Sequence, residues 1–253
     1  MTFQTVGESM EAHGILCIIP ARFASSRLAG KPLCMIRGVP LVMWAYNGAV
    51  AAGVFETVCV ATDDVRILDA VRQHGGTACM TSPHHVSGTD RVAEAAAPYD
   101  ARYIVNLQGD EPSVPVELLV EFARNLTRLD DNSLLTCVSH ATIRGKENPN
   151  VVKVVCAKNG DALYFSRAPI PYDRDGNGGE ILTHWGIYGF TAQSLKRFCS
   201  FPAGSLEMRE KLEQLRALEN GMRITCVKTG YTSMGIDTQE DLDSFRKRVE
   251  GPA

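Results

Sequence analysis

Apolar positions in this chain fall into short runs separated by polar turns. Ile15, Leu16, Cys17, Ile18 and Ile19 form a run short enough to be a buried strand, ended by Pro20. From Pro40, a residue suited to the first turn of a helix, Leu41, Val42, Met43, Trp44, Tyr46 and Val50 recur at mixed three- and four-residue spacing, and Gly53 marks a stop. Thr57–Thr62 predicts a second strand, Asp64–His74 a short helix stopped by Gly75-Gly76, and Thr77–Met80 a third strand. The next helix starts at Thr89 or Asp90, with Asp90 as its N-cap. Tyr103–Leu107 and Leu134–Ser139 read as strands, and Val151–Cys156 with Ala162–Ser166 as a hairpin turned by Asn159-Gly160. Asp173–Glu180, DRDGNGGE, suits a mobile flap or linker. His184–Phe190 is a strand with glycine breaks. Ser205–Gly221 reads as one helix, capped by Ser205, with Leu206, Met208, Leu212, Leu215 and Leu218 on its apolar stripe and most of its acids on a solvated face. Ile224–Val227 is a strand, and Thr238 caps a last helix with Glu240 and Asp241 in its first turn. Strands alternating with helices predict an α/β fold around a parallel, doubly wound sheet.

Composition adds bounds. The 253 residues fit one large α/β domain better than two small ones. A net charge of −3 points away from nucleic acid and anionic membranes as partners, and no apolar run approaches a membrane span. The eight cysteines are scattered without metal spacing and read as small buried hydrophobes of a reducing compartment, which fits a cytoplasmic enzyme. Residues 1–13 lack the features of a signal peptide and read as a disordered leader.

Candidate chemistry sits where strands end. Past the first strand, Arg22, Arg27 and Lys31 stand among Ser25, Ser26 and Gly30, the composition of an anion site at the carboxyl edge of a sheet. A loop whose cations face water fits the same residues. Gln108, Gly109 and Asp110 follow the Tyr103–Leu107 strand. Beside phosphates, Asp110 suits Mg²⁺, with a turn aspartate as the alternative, and Gly109 keeps the backbone bare for a close ligand. Asp237 reads as part of a helix cap or as a second Mg²⁺ carboxylate. His84-His85 lacks a third ligand at fixed spacing and reads as a surface or hydrogen-bonding pair.

Pro20-Ala21-Arg22, Ser26-Arg27-Leu28 and Gly30-Lys31-Pro32-Leu33 resemble the signature of sugar nucleotidyltransferases. With VATDD, SGTDR, NLQGDEP, ALYFSRAPIP, GIYGF, LEQLR and GIDTQEDL following in order, the chain resembles the 3-deoxy-manno-octulosonate (KDO) cytidylyltransferases. The resemblance implies a single Rossmann-like nucleotidyltransferase domain over residues 14–250, its mixed, mostly parallel sheet flanked by helices. It places sugar binding and dimerisation at roughly 150–220, the latter around Ala162–Pro171. It implies Mg²⁺-dependent transfer of CMP from CTP to an acidic 2-keto-3-deoxy sugar, for lipopolysaccharide, by a cytoplasmic homodimer. Arg22, Lys31, Asp110 and Asp237 would be catalytic, the two aspartates holding Mg²⁺. Pro20, Ala21, Arg22, Ser26, Arg27, Lys31, Met80, Ser87, Arg91 and Asp110 would bind the nucleotide. Gln108, Arg167, His184, Tyr188, Glu210 and Gln214 would bind the sugar, Arg167 taking its carboxylate. The short DGNGG tract, Thr183 and Trp185 depart from the common family pattern beside the expected sugar pocket. An 8-amino KDO analogue or another acidic sugar therefore stays open as acceptor. A non-catalytic nucleotide-binding regulator is the alternative of another class.

Overall fold

The computed structural model describes residues 14–24, 28–141, 145–176, 178–232 and 235–250. The expected leader, together with Ser26 and Arg27 of the phosphate loop, lies outside the described residues. The first half of the chain holds β1 (Ile15–Ala21), a 3-10 turn (Lys31–Leu33), a small ribbon of β2 (Met35–Ile36) and β3 (Val39–Pro40), α1 (Leu41–Ala51) and β4 (Thr57–Thr62). It continues with α2 (Val65–Gln73), β5 (Ala78–Met80), α3 (Gly88–Ala96), β6 (Tyr103–Leu107) and α4 (Val116–Leu126). The second half holds β7 (Ser133–His140), β8 (Lys153–Cys156), β9 (Ala162–Ser166), β10 (Leu182–Thr191) and α5 (Ala192–Ser200). Last come α6 (Ser205–Glu210), α7 (Leu215–Glu219), β11 (Arg223–Thr229) and α8 (Gln239–Glu250).

One sheet runs β11-β7-β10-β6-β1-β4-β5, with β8 paired to β10 and β9 to β8. Pairing is parallel for β1 with β4 and β6, for β4 with β5, and for β7 with β11. β10 runs antiparallel to β6, β7 and β8, so the sheet is mixed. This is the mixed sheet that the resemblance implied; strand periodicity carries no direction, so the alternation of elements alone suggested only a parallel one.

β1 is buried on both faces and divides its side chains between two cores. Ile15, Cys17 and Ile19 pack with α1, α2 and α4 residues such as Val42, Ile67 and Phe122. Leu16 and Ile18 pack with Val92 of α3, Phe198 of α5 and Leu215 of α7. A third, smaller core joins Ile36 and Leu41 to Leu242 and Phe245, fastening α8 beside the carboxyl edge of β1. Pro40 is the N-cap of α1 rather than a residue of its first turn.

The expected single helix from Ser205 to Gly221 is two short helices. α6 is capped by Gly204, not Ser205, and ends where Lys211 turns left-handed at φ 56°. Met208 is exposed, so the apolar stripe does not run through the break. The acids are not a solvated face. Glu207 pairs with buried Arg216, and Glu213 accepts the Thr89 N–H at 3.2 Å. The described residues between 167 and 181 contain no helix or strand.

Candidate active site

The carboxyl ends of β1 and β6 and the loop before α8 meet at one point. Lys31 Nζ donates to Asp110 Oδ2 at 2.7 Å, to the Ile236 carbonyl at 2.7 Å and to Asp237 Oδ1 at 3.2 Å. The Ile236 N–H donates to the Asp110 carbonyl at 2.9 Å, tying the two loops together. Burial alone would pull the Lys31 ammonium down. Its attraction to Asp110 and Asp237 and the hydrogen bonds to both outweigh that and hold its pKa above the ordinary lysine value. Among the described residues no group of three or more His, Cys, Asp or Glu side chains could hold a metal. The two converging carboxylates still fit a hard cation that takes its remaining ligands from substrate oxygens. Gly109 borders a small cavity beside this point, and a Cβ there would also meet Ile19 Cγ2 at 3.3 Å and the Pro20 carbonyl at 3.4 Å, so its bareness lets this loop lie close to β1 as well.

A cavity of about 230 Å³ opens beside this point, lined by Pro20, Ala21, Arg22, Lys31, Ser87, Arg91 and Asp110 among others. Arg22 is exposed at its lip. Ser87, not Asp90, caps α3: its Oγ accepts the Asp90 N–H at 3.1 Å and donates to Asp90 Oδ2 at 2.8 Å. Arg91 is buried, paired to Asp63 at 2.9 Å and bonded to Thr81, which fastens the start of α3 to the end of β4. Met80 is exposed and lines neither cavity described here. His85 pairs with Glu94 of α3.

A larger cleft of about 910 Å³ shares Arg22, Ser87, Gln108, Asp110 and Asp237 with the first cavity. It adds Arg167, His184, Tyr188 and Gln214, so the structure gathers the expected sugar residues with one exception. Glu210 turns away from the cleft and accepts from Ser166 Oγ at 2.7 Å and the Arg167 N–H at 2.9 Å. Gly186 on β10 makes room for Gln108, whose Cγ would lie 2.9 Å from a Cβ there. Gln108 Nε2 donates to Asn106 Oδ1 at 3.0 Å.

His184 is desolvated, which pushes its pKa down to about 3 and keeps the imidazole neutral. Thr136 Oγ1 lies 2.9 Å from His184 Nε2 and gives its one proton to the Ile187 carbonyl at 2.8 Å. Nε2 is therefore the donor, and Nδ1 is left an acceptor. Tyr188 Oη donates to Gln214 Oε1 at 3.0 Å. That leaves Gln214 Nε2 buried without a partner among the described residues, a donor awaiting a ligand oxygen. Arg167 donates to the carbonyls of Glu210 (2.8 Å), Pro149 (2.9 Å) and Lys211 (3.3 Å), leaving two of its five side-chain N–H groups for a ligand. Trp185 does not border the cleft: it is buried in the α4-side core, with Nε1 on Ser139 Oγ, whereas Thr183 does line it.

Three polar groups of this wall escaped the sequence reading. Lys153 is buried and Glu213 half-buried, and Glu111, just past the end of β6, contributes to the cleft lining with Glu213. Lys153 sits in an apolar run that reads as plain strand. Glu213 adjoins Gln214 within LEQLR, which was the available signal.

The chain matches the family described as cytidylyltransferase over residues 16–224. It is 43% identical over 250 residues to the 3-deoxy-manno-octulosonate cytidylyltransferase of Thermodesulfovibrio yellowstonii, covering 92% of this chain and 96% of that one. The enzyme of the same name from Nitratidesulfovibrio vulgaris strain Hildenborough is 47% identical over 238 residues, covering 89% and 92%. Among solved structures, a CMP:2-keto-3-deoxy-manno-octonic acid synthetase complexed with CTP superposes with a TM-score of 0.87 at 36% identity, covering 93% of this chain and 98% of that one.

Proposed function

Since this chain belongs to the cytidylyltransferase family, we propose that it transfers CMP from CTP to the anomeric hydroxyl of KDO, releasing pyrophosphate. The observation that carries this reading is the placement of Asp110, Asp237 and Lys31 where a small cavity and a larger cleft meet. The small cavity, with its exposed arginine and the start of α3, suits the nucleotide's phosphates. The larger cleft, lined by hydroxyl-reading groups, suits the sugar.

In the reaction the acceptor hydroxyl gives up its proton to solvent as its oxygen forms a bond to the α-phosphorus, the bond from that phosphorus to the bridging oxygen breaks, and pyrophosphate leaves. No covalent enzyme intermediate is required, so positioning and charge neutralisation supply the catalysis. Arg22 and Lys31 offset phosphate charge. Gln214 Nε2 donates to a sugar oxygen, His184 accepts from a sugar hydroxyl, and Arg167 offers its remaining N–H groups to the carboxylate. Asp110 and Asp237 would hold Mg²⁺, which neutralises phosphate charge and lowers the pKa of an attacking hydroxyl.

The finer parts of the reading are a cytoplasmic homodimer. Eight free cysteines suit a reducing compartment, and no helix among the described residues is long and apolar enough to cross a membrane. Among the described residues β9 pairs in the sheet only with β8 and exposes Leu163, the kind of edge a second copy covers.

The test is pyrophosphate release from CTP and Mg²⁺ with KDO, its 8-amino analogue, sialic acid or no acceptor. Release with KDO and not with sialic acid supports the proposal. Release only with the amino analogue transfers the reading to that acceptor. CTP binding without release from any acceptor leaves the regulator.

A further inference from the structure

Lys153 is fully buried in β8, opposite Thr183 of β10 on one side and Ser166 of β9 on the other. Its ammonium spends its three N–H groups on backbone carbonyls, those of Asn148 (2.9 Å), Val151 (2.7 Å) and Arg167. Asn148, Val151 and Arg167 all line the larger cleft, so one buried charge fixes three points of its wall. Neither Lys153 nor Arg167 makes an ion pair with a carboxylate among the described residues. The ammonium's direct partners are carbonyl dipoles, with the carboxylates of Glu147 and Glu210 attracting it only from farther off, so a positive charge stands immediately behind that wall. Elsewhere the cleft carries Asp110, Glu111, Glu207, Glu213, Asp237 and Asp241 against the cations Arg22 and Lys211. An anionic acceptor is repelled by that acidic part of the cleft and attracted to the Arg167 wall, which sets one orientation.

We propose that Lys153 is the positioning residue of the acceptor half-site, holding the Asn148–Val151 loop and the Arg167 backbone in place and drawing the acceptor's carboxylate toward them. The inference rests on the reading of this cleft as the site of an acidic sugar. It is tested with Lys153→Met, and with Lys153→Gln, which keeps donors while removing charge. Pyrophosphate release is followed with KDO varied, with CTP varied, and with the KDO carboxamide as a neutral acceptor.

The expected result is a KM for KDO raised at least tenfold in both variants, with the KM for CTP and its calorimetric Kd within twofold of wild type. The preference for acid over carboxamide falls by a similar factor. A KDO KM within twofold of wild type, a parallel loss of KDO and CTP affinity, or an unchanged acid preference overturns the role. Where neither variant folds, the wild-type preference decides: below threefold it overturns the proposal, above tenfold it supports it. Wild-type silence with KDO overturns the parent reading and this one with it, whereas wild-type turnover with unaltered variants overturns Lys153 alone.

Discussion

Removing Lys31 exposes the electrostatics of the centre. In Lys31→Met, Asp110 and Asp237 lose the cation that bridges them, and their oxygens can be no further apart than the 2.7 and 3.2 Å legs laid end to end. Two charges at such a separation repel by about 3 kcal/mol at an effective dielectric of roughly 20. Both side chains are about a third exposed, so solvent screening reduces the cost to about 1–2 kcal/mol. In a chain of this size that lowers Tm by roughly 2–8 °C. The raised pKa of Lys31 contributes stability that is complete below the ordinary lysine value and is lost only as pH rises through the folded value. At pH 7.5 the wild-type ammonium is therefore fully in place, and the comparison measures the whole effect.

Mg²⁺ should reverse the defect. Without the competing ammonium, the variant binds Mg²⁺ more tightly than wild type in the absence of CTP, and Mg²⁺ raises its Tm toward the wild-type value. Turnover nevertheless falls by about 10²–10³, the loss expected when one preorganised donor leaves a charged transition state. Thermal unfolding with EDTA or excess Mg²⁺, calorimetric Mg²⁺ titration and pyrophosphate release are the assays. A variant that melts like wild type under both conditions, with unaltered Mg²⁺ affinity, would show that Lys31 does not neutralise this pair.

Asp110→Asn should fold and bind CTP yet lose at least about 100-fold in turnover, because one formal charge leaves the proposed metal position; near-normal pyrophosphate release removes Asp110 from the chemistry. Gln214→Leu takes away the unpartnered Nε2 donor and should raise the KM for KDO about tenfold, the scale of one buried hydrogen bond, with the KM for CTP unchanged; equal effects on both would place Gln214 outside the sugar pocket. His184, at about 3 in the folded chain, contributes stability present above the ordinary histidine value and lost as pH falls toward the folded one. Urea unfolding from pH 7.5 to 4 should therefore lose less stability in His184→Gln than in wild type, and parallel losses would place a charged imidazole in the folded state.

What was legible from sequence follows from where each residue sits. The runs at β1, β4 and β6 are buried on both faces, so their apolar continuity reported them. Lys31, Gln108 and Asp110 lie on turns just past such strands, where polarity appears abruptly and marks the functional edge. The direction of β10 could not be read, since a two-residue period is the same for either sense. Lys153 was equally silent: one lysine in an apolar run has no periodic signature, and its carbonyl partners come from segments on either side of the hairpin turn. The N-cap of α3 was misassigned because Ser87 and Asp90 bond to each other, and sequence shows both capping residue types without showing which backbone comes first.

The break between α6 and α7 has a cause that sequence spacing does not contain. A helix continuing past Glu210 would use the carbonyls of Glu210 and Lys211 for residues 214 and 215. Arg167 takes both, through Nε and Nη2, so the helix ends and Lys211 turns left-handed. The same turn sends three residues in three directions: Glu210 to the end of β9, Glu213 to the start of α3, and Gln214 onto Tyr188 in the cleft. Arg167 thus builds the pocket it lines. Arg167→Gln should cost about 2–4 kcal/mol, since it forfeits charge-assisted bonds to three carbonyls that are partly solvated. Tm and the affinity for KDO should fall together while CTP binding holds, because the first cavity does not include the turn. A raised KM for KDO at unchanged Tm would separate the two roles and leave Arg167 a substrate ligand alone.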